Sequence, residues 1–301
     1  MKCILKGEKI KRILILGATG MLGHACHLVF RSDPNFEIIS TSRIIKKDMK
    51  LFDASKDSVD HLIKEISPDW IINCIGIIKP HIDEDNFISM ENAIYINSLL
   101  PHQLAGAISK LPIKVIQIAT DCVYSGKEGG YTESSPHDPL DVYGKTKSLG
   151  EVASAQFFHI RASIIGPEYG RSTSLQEWFL GQPRNAEVKG FTDHLWNGLT
   201  THHFALLAKA IISANENFSG TQHVIPANIV TKAELLELFA QVYNREDIKI
   251  NPIVSKLRID RTLTTQDILR SNNLWKIAGF DKPPTIQEMI EQQNNFMILH
   301  K

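Results

Sequence analysis

The stretch RILILGATGMLGHACHLVF, Arg12 to Phe30, constrains the fold more than any other part of the chain. Arg12 to Leu16 reads as a short apolar strand. Gly17, Gly20 and Gly23 follow at three-residue spacing, and an apolar helix comes next. Glycine is needed where a backbone turns tightly and lies against a ligand, and a helix start behind such a turn offers free N–H groups and a positive dipole end. In this order the three pieces form the first unit of a nucleotide-binding α/β sheet. A pyrophosphate is then expected along Gly17, Thr19, Gly20, Met21, Leu22 and Gly23. A tight turn with a purely structural purpose is the competing reading.

The alternation continues through the first half. FEIIS, WIINCIG, KVIQIAT and FFHIRAS read as strands, with helices predicted over 55–67, 88–110 and 142–155. Alternation of this kind gives right-handed crossovers and a parallel sheet covered by helices on both faces. The expected class is α/β: a Rossmann-type doubly wound parallel sheet with a smaller C-terminal α/β lobe. The nucleotide-binding part is predicted over 1–165, with 191–225 returning to it, and the interleaved lobe over 166–301.

Composition narrows the functions. With 33 basic and 33 acidic residues the net charge is zero, so no overall field draws nucleic acid or an acidic membrane. No run is long enough to span a bilayer, and MKCILKGEKIKR does not read as a signal peptide. Cys3, Cys26, Cys74 and Cys122 are scattered, three of them in apolar runs, which suggests reduced thiols and a cytoplasmic protein. The 12 histidines show no zinc-type spacing, and no metal site is expected.

In a sheet of this class ligands bind at the carboxyl ends of the strands. The second strand ends at Ser42-Arg43 with no adjacent carboxylate, a pattern favouring the 2′-phosphate of NADP(H) over NAD(H), which stays possible. Arg43 as a solvated loop residue is the alternative. Asp53 suits either an adenine amino group or a helix cap. Asn73, Cys74 and Gly76 end the fourth strand, beside the cofactor's ribose, and Ala119, Thr120 and Asp121 end the fifth. Tyr143 and Lys147, four residues apart, share a helix face.

Gly17, Gly20, Gly23, Asn73, Asn97, Thr120, Tyr143 and Lys147 fall in an order that resembles the extended short-chain dehydrogenase/reductase superfamily. Within it, ATDCVYSGKEGGYTESSPHDPLDVYGKTKSLGE, from Ala119 to Glu151, resembles the dTDP-4-dehydrorhamnose reductase family. The likeness covers about the first 165 residues and weakens beyond. It implies Thr120, Tyr143 and Lys147 as catalytic: Thr120 orients a carbonyl, Tyr143 donates the proton, and Lys147 tunes it and binds the nicotinamide ribose. Asn97 and Ala119 would flank the cofactor, and Asp121, Val123 and Tyr124 the substrate. Cys122 stands where the superfamily's dehydratases carry glutamate, which argues for simple reduction.

For the lobe the resemblance implies a cleft holding a nucleotide-linked sugar. Trp178, Phe191, Trp196 and Asn197 are candidates for base or sugar, and Arg161, Arg171 and Arg184 for the diphosphate. Each has a bland alternative as core or solvated surface, as have Lys79 and His81. A homodimer is possible. Two other functions stay open: an epimerase, or a non-catalytic subunit like the regulatory subunit of methionine adenosyltransferase, which belongs to the same wider family.

Overall fold

The computed structural model describes residues 10–168, 173–214 and 218–300. Its centre is a seven-stranded sheet built from β1 (Lys11–Leu16), β2 (Phe36–Ser42), β3 (Lys50–Leu51), β4 (Trp70–Asn73), β5 (Lys114–Ala119), β6 (Phe157–Arg161) and, after four short strands elsewhere, β11 (Gly220–His223). The order is β11-β6-β5-β4-β1-β2-β3, and every pairing is parallel. The chain runs outward from β1 to β3, then restarts on the other side of β1 at β4. That reversal opens a crevice at the carboxyl ends of β1 and β4.

Both faces of the sheet are covered, so its central strands carry continuous buried apolar runs, Ile13 to Leu16 in β1 and Trp70 to Ile72 in β4. Ile13 and Ile15 join one core while Leu14 and Leu16 join the other, as the two-residue period of a strand requires. Behind the first face lie α1 (Met21–Arg31) and α7 (Thr201–Ala214); behind the second lie α2 (Val59–Ile66) and α4 (Leu100–Ile108).

Three predicted helices have different ends. The first starts at Val59, because Asp53 and Asp57 take the N–H groups of Ser55 and Asp53 in a turn and Ser58 caps the helix. The second is split into α3 (Phe87–Ile94), a π turn over Tyr95–Leu99, and α4. Pro101 has no N–H, and its ring crowds the carbonyl four residues back, at Asn97; the widened turn relieves both. The third, α5 (Val142–Leu149), stops six residues early at Gly150.

The remaining elements form a smaller C-terminal layer. β7 (Ile164–Ile165) pairs β10 (Leu199–Thr200), and β8 (Glu187–Phe191) pairs β13 (Lys249–Ile253). β9 (His194–Trp196) lies between β12 (Val230–Thr231) and β14 (Ile259–Asp260). Helices α6 (Leu175–Leu180), α8 (Lys232–Val242), α9 (Ile268–Ile277) and α10 (Ile286–Leu299) complete it. The capping box read at Thr231 and Glu234 is present in both directions. Glu133, on the loop after β5, accepts from Thr265, from the N–H groups of Gln266 and His223, and from Gln222, tying that loop to the C-terminal segment. No helix among the described residues is long and apolar enough to cross a membrane.

Candidate active site

The glycine turn forms as its spacing predicts. Gly17 has φ of 76°, a region L side chains rarely adopt, and a Cβ on Gly23 would sit 2.1 Å from the Gly17 carbonyl oxygen. Helices α2, α3, α5, α6, α8, α9 and α10 each begin with a Ser, Thr, Asn or Asp side-chain cap. Helix α1 begins at Gly20 with no side-chain cap and no acidic residue in its first turn. Its first N–H groups, at Met21, Leu22 and Gly23, are left facing the crevice mouth with the polarity that suits a pyrophosphate.

Arg43 is exposed, and the buried Ser42 spends its hydroxyl on the Ile44 N–H. Asp53 caps no helix; its carboxylate holds Ser55 and Lys56. Asn73 is buried and committed, giving its amide to Gln117 and accepting from Ile75. Gly76 lies exposed beside Asn97, and the Cys74 thiol lies 3.9 Å from that of Cys26. Asn97 makes three bonds, two to the Ile77 backbone and one to Thr146, so it fastens the loop after β4 to α5. Asn73 and Asn97 are thus spent on holding the loop after β4, whereas Arg43 stays exposed.

At the end of β5, buried Thr120 accepts from the Cys122 N–H and donates to Asp121. Helix α5 starts opposite, capped by Asp141, which also holds Lys79 at 2.8 Å. Thus Lys79 braces the helix, while His81 is exposed. Next to Tyr143, a Cβ on Gly144 would sit 2.2 Å from the Cys122 carbonyl oxygen, so only glycine lets α5 lie this close to the strand end.

That contact brings Tyr143 and Thr120 together. Burial drives the Tyr143 pKa well above the usual phenol value, helped by the Cys122 thiol, while the Thr120 hydroxyl pulls the other way. At neutral pH Tyr143 is a protonated phenol. One turn on, Lys147 is almost wholly buried and donates to the Ile118 carbonyl at 2.9 Å. Burial pushes it down to about 8, against the pull of Glu151 and Cys74.

Several expected substrate contacts are elsewhere. Val123 and Tyr124 are fully buried with Tyr131 and Leu263. Tyr124 donates to the Thr132 carbonyl and takes a hydrogen bond from Arg161. Arg161 is itself 2% exposed, because Glu151, Tyr124, His137 and His223 consume its guanidinium. It serves the core rather than a diphosphate. Asn197 uses its amide as a backbone mimic on Leu263. Trp196 is packed in the core with its indole N–H unpartnered. Arg184 is exposed on a loop, and Arg171 lies outside the described residues.

Trp178 does reach an open site. It lines a cavity of about 310 Å³ with Leu175, Lys189, Phe191, His194, Lys232 and Leu236. Lys232 and Arg261 both act electrostatically on Asp121, which burial raises and these two cations lower. Sequence reasoning missed both. The available signal for Lys232 was a cation at the first position of a helix, where the dipole disfavours it. No group of three or more metal-ligating side chains occurs among the described residues.

Sheet order and the glycine turn give a Rossmann-type fold, and with the family match over residues 11–293 they make this an extended short-chain dehydrogenase/reductase architecture. The chain belongs to the family described as RmlD substrate binding domain, whose pattern it matches over residues 11–293. It is similar to the spore coat polysaccharide biosynthesis protein SpsK of Bacillus subtilis, 30% identical over 72% of this chain and 74% of that protein. It is also similar to methionine adenosyltransferase 2 subunit beta of Rattus norvegicus, 26% identical over 83% of this chain and 79% of that one. Among solved structures, the dTDP-4-dehydrorhamnose reductase of Bacillus anthracis in complex with NADP shares the fold at a TM-score of 0.76 and 23% identity, covering 97% of this chain and 100% of that one.

Proposed function

We propose that this protein reduces a nucleotide-linked 4-keto sugar at the expense of NADPH, in the making of a deoxysugar or surface polysaccharide. The observation that carries the reading is Tyr143, kept protonated, beside Thr120 at the carboxyl end of β5, with Lys147 one helical turn away. The uncapped start of α1 fits a dinucleotide pyrophosphate, and exposed Arg43 with no neighbouring carboxylate fits a 2′-phosphate. Similarity to a reductase solved with NADP points the same way. The cofactor supplies the hydride when bound.

The chain's own residues handle the proton and the geometry. Thr120 holds the carbonyl oxygen by its hydroxyl, and Tyr143 gives its proton to the oxygen as negative charge develops there. Lys147, largely charged at neutral pH, offers its remaining N–H groups to the nicotinamide ribose and steadies the phenolate left behind. The free thiols of Cys26, Cys74 and Cys122 agree with a reducing, cytoplasmic setting.

A second reading is favoured by one observation, the similarity to methionine adenosyltransferase 2 subunit beta over most of both chains. On that reading the protein binds a dinucleotide and a partner without turnover. NADPH absorbance followed with dTDP-, UDP- and GDP-linked 4-keto sugars separates the two. Oxidation with one sugar supports the reductase and names its substrate. Tight NADPH binding with no oxidation by any of them overturns it in favour of the subunit.

A further inference from the structure

Lys232 is the first residue of an eleven-residue helix, an end where the dipole repels a cation. Its Nζ nevertheless lies 5.5 Å from the centroid of the Trp196 ring, and its side chain lines the cavity with Trp178, Lys189, Phe191 and His194. It forms no salt bridge among the described residues. Asp121 and Cys122 are the groups that favour its charge, with Arg261 opposing, and the same Asp121 and Cys122 act on Tyr143. Lys232 thus lines the aromatic cavity and is coupled electrostatically to the strand end that carries Thr120. An ammonium held at the unfavourable end of a helix, on an indole face and with no salt bridge of its own, suits an anion that arrives with a ligand.

We propose that Lys232 is a specificity-determining residue that holds the diphosphate of the nucleotide-linked substrate, with the base lying among the rings of Trp178 and Phe191. The assignment rests on the sugar-nucleotide reading above and says how such a substrate is oriented. The base occupies the aromatic end of the cavity, Lys189 and Lys232 supply the positive charge beside it, and the sugar extends past Asp121 toward Tyr143. Neither lysine can read a sugar hydroxyl pattern as a rigid fork would; they select for charge.

The test is calorimetric binding to the full chain with NADP⁺ at saturation, so that the cofactor's own diphosphate site is filled. UDP and dTDP are compared with uridine and thymidine, on the wild type, Lys232→Gln and Lys232→Arg. The wild type is expected to bind the diphosphates. Lys232→Gln should weaken them by about 10- to 100-fold while leaving NADP⁺ affinity unchanged, the loss of a charge-assisted contact. Lys232→Arg should keep most of the affinity. Equal binding of UDP or dTDP by wild type and Lys232→Gln overturns the assignment, as does a wild type that binds neither, or a loss in Lys232→Arg as large as in Lys232→Gln. A wild type that binds the diphosphates through Lys232 yet oxidises no NADPH would sink the reductase reading and leave this site standing.

Discussion

Two regions of the molecule, the strand end that carries Thr120 and the aromatic cavity of the lobe, are built on different principles. On the sheet side, Thr120, Asn97, Asp141 and Lys147 each make specific hydrogen bonds, and the Tyr143 helix is pressed onto a strand end where a methyl group would not fit. On the lobe side, Trp178, Phe191, His194, Lys189 and Lys232 present ring faces and ammonium groups, and Trp178 is 41% exposed. One region fixes atoms by many short directional contacts; the other offers area and charge that tolerate rearrangement. The difference teaches how a family can keep one chemistry while changing what it acts on. On the proposed reading the fold would fix the reaction geometry, and recognition would fall to side chains such as the half-exposed Trp178.

The largest expected effect breaks the strand-end region chemically. Tyr143→Phe removes the proposed proton donor and leaves the ring that packs, so NADPH oxidation should fall by about 10²- to 10⁴-fold. Its affinity for NADPH, titrated by fluorescence, should stay within a few-fold of wild type. Unchanged turnover would remove Tyr143 from the chemistry. Beside this region, Arg161→Met leaves Glu151 buried without the guanidinium that outweighs its burial and keeps it ionised. Losing one partner of a buried pair costs about 3–5 kcal/mol. The melting temperature should drop sharply while nucleotide affinity of the folded fraction holds. Loss of diphosphate affinity with normal stability would instead return Arg161 to the substrate.

A smaller effect is expected from Gly144→Ala. The new Cβ meets the Cys122 carbonyl oxygen at 2.2 Å and Pro139 at 2.7 Å, and overpacking of this kind costs about 1–3 kcal/mol. Because the shift falls between Tyr143 and Thr120, kcat should fall more than the apparent KM for NADPH rises. A variant with wild-type kcat would show that the close approach of α5 is not needed for turnover.

How much of this could be read beforehand follows the same division. The glycine turn and the strands announce themselves through local periodicity, because each side chain's face is set by its neighbours in sequence. That Tyr143 and Lys147 share one helix was legible for the same reason, since their spacing of four fits one helical face. The lobe cavity was legible only in part: Trp178 and Phe191, both candidates from the sequence, line it, while Trp196 and Asn197 do not. In Phe191–Thr201 nothing local says that Phe191 and His194 face a cavity while Trp196 turns into the core and Asn197 toward Leu263, 66 residues away. Arg161 misled for a related reason. An arginine at a strand end invites an anion, and the residues that consume its guanidinium, from Tyr124 to His223, are gathered by the sheet and not by the sequence. Arg261 reaches the Tyr124 carbonyl across 137 residues.

The smallest effect compares the two regions within one experiment. Burial lowers Lys147, facing Glu151 and Cys74, and Lys232, facing Asp121, Cys122 and Arg261, each to about 8. Both folded values lie below the unfolded lysine value, so the sign is the same for each. Holding the charge inside costs stability below pH 8, and that cost is relieved as pH rises through 8 toward the unfolded value. On the proposed reading the charge is what counts for catalysis: Lys147 would serve the cofactor and phenolate, and Lys232 the substrate's phosphates. Above pH 8 kcat/KM for the sugar nucleotide should therefore fall with two deprotonations, approaching a logarithmic slope of about −2 in the free enzyme. Lys232→Gln should start from a lower kcat/KM and fall with a slope of about −1, because only the sheet-side lysine remains to titrate. Parallel profiles in the two proteins would mean that Lys232 contributes no titrating charge to recognition, and the lobe cavity would then act through its aromatic rings alone.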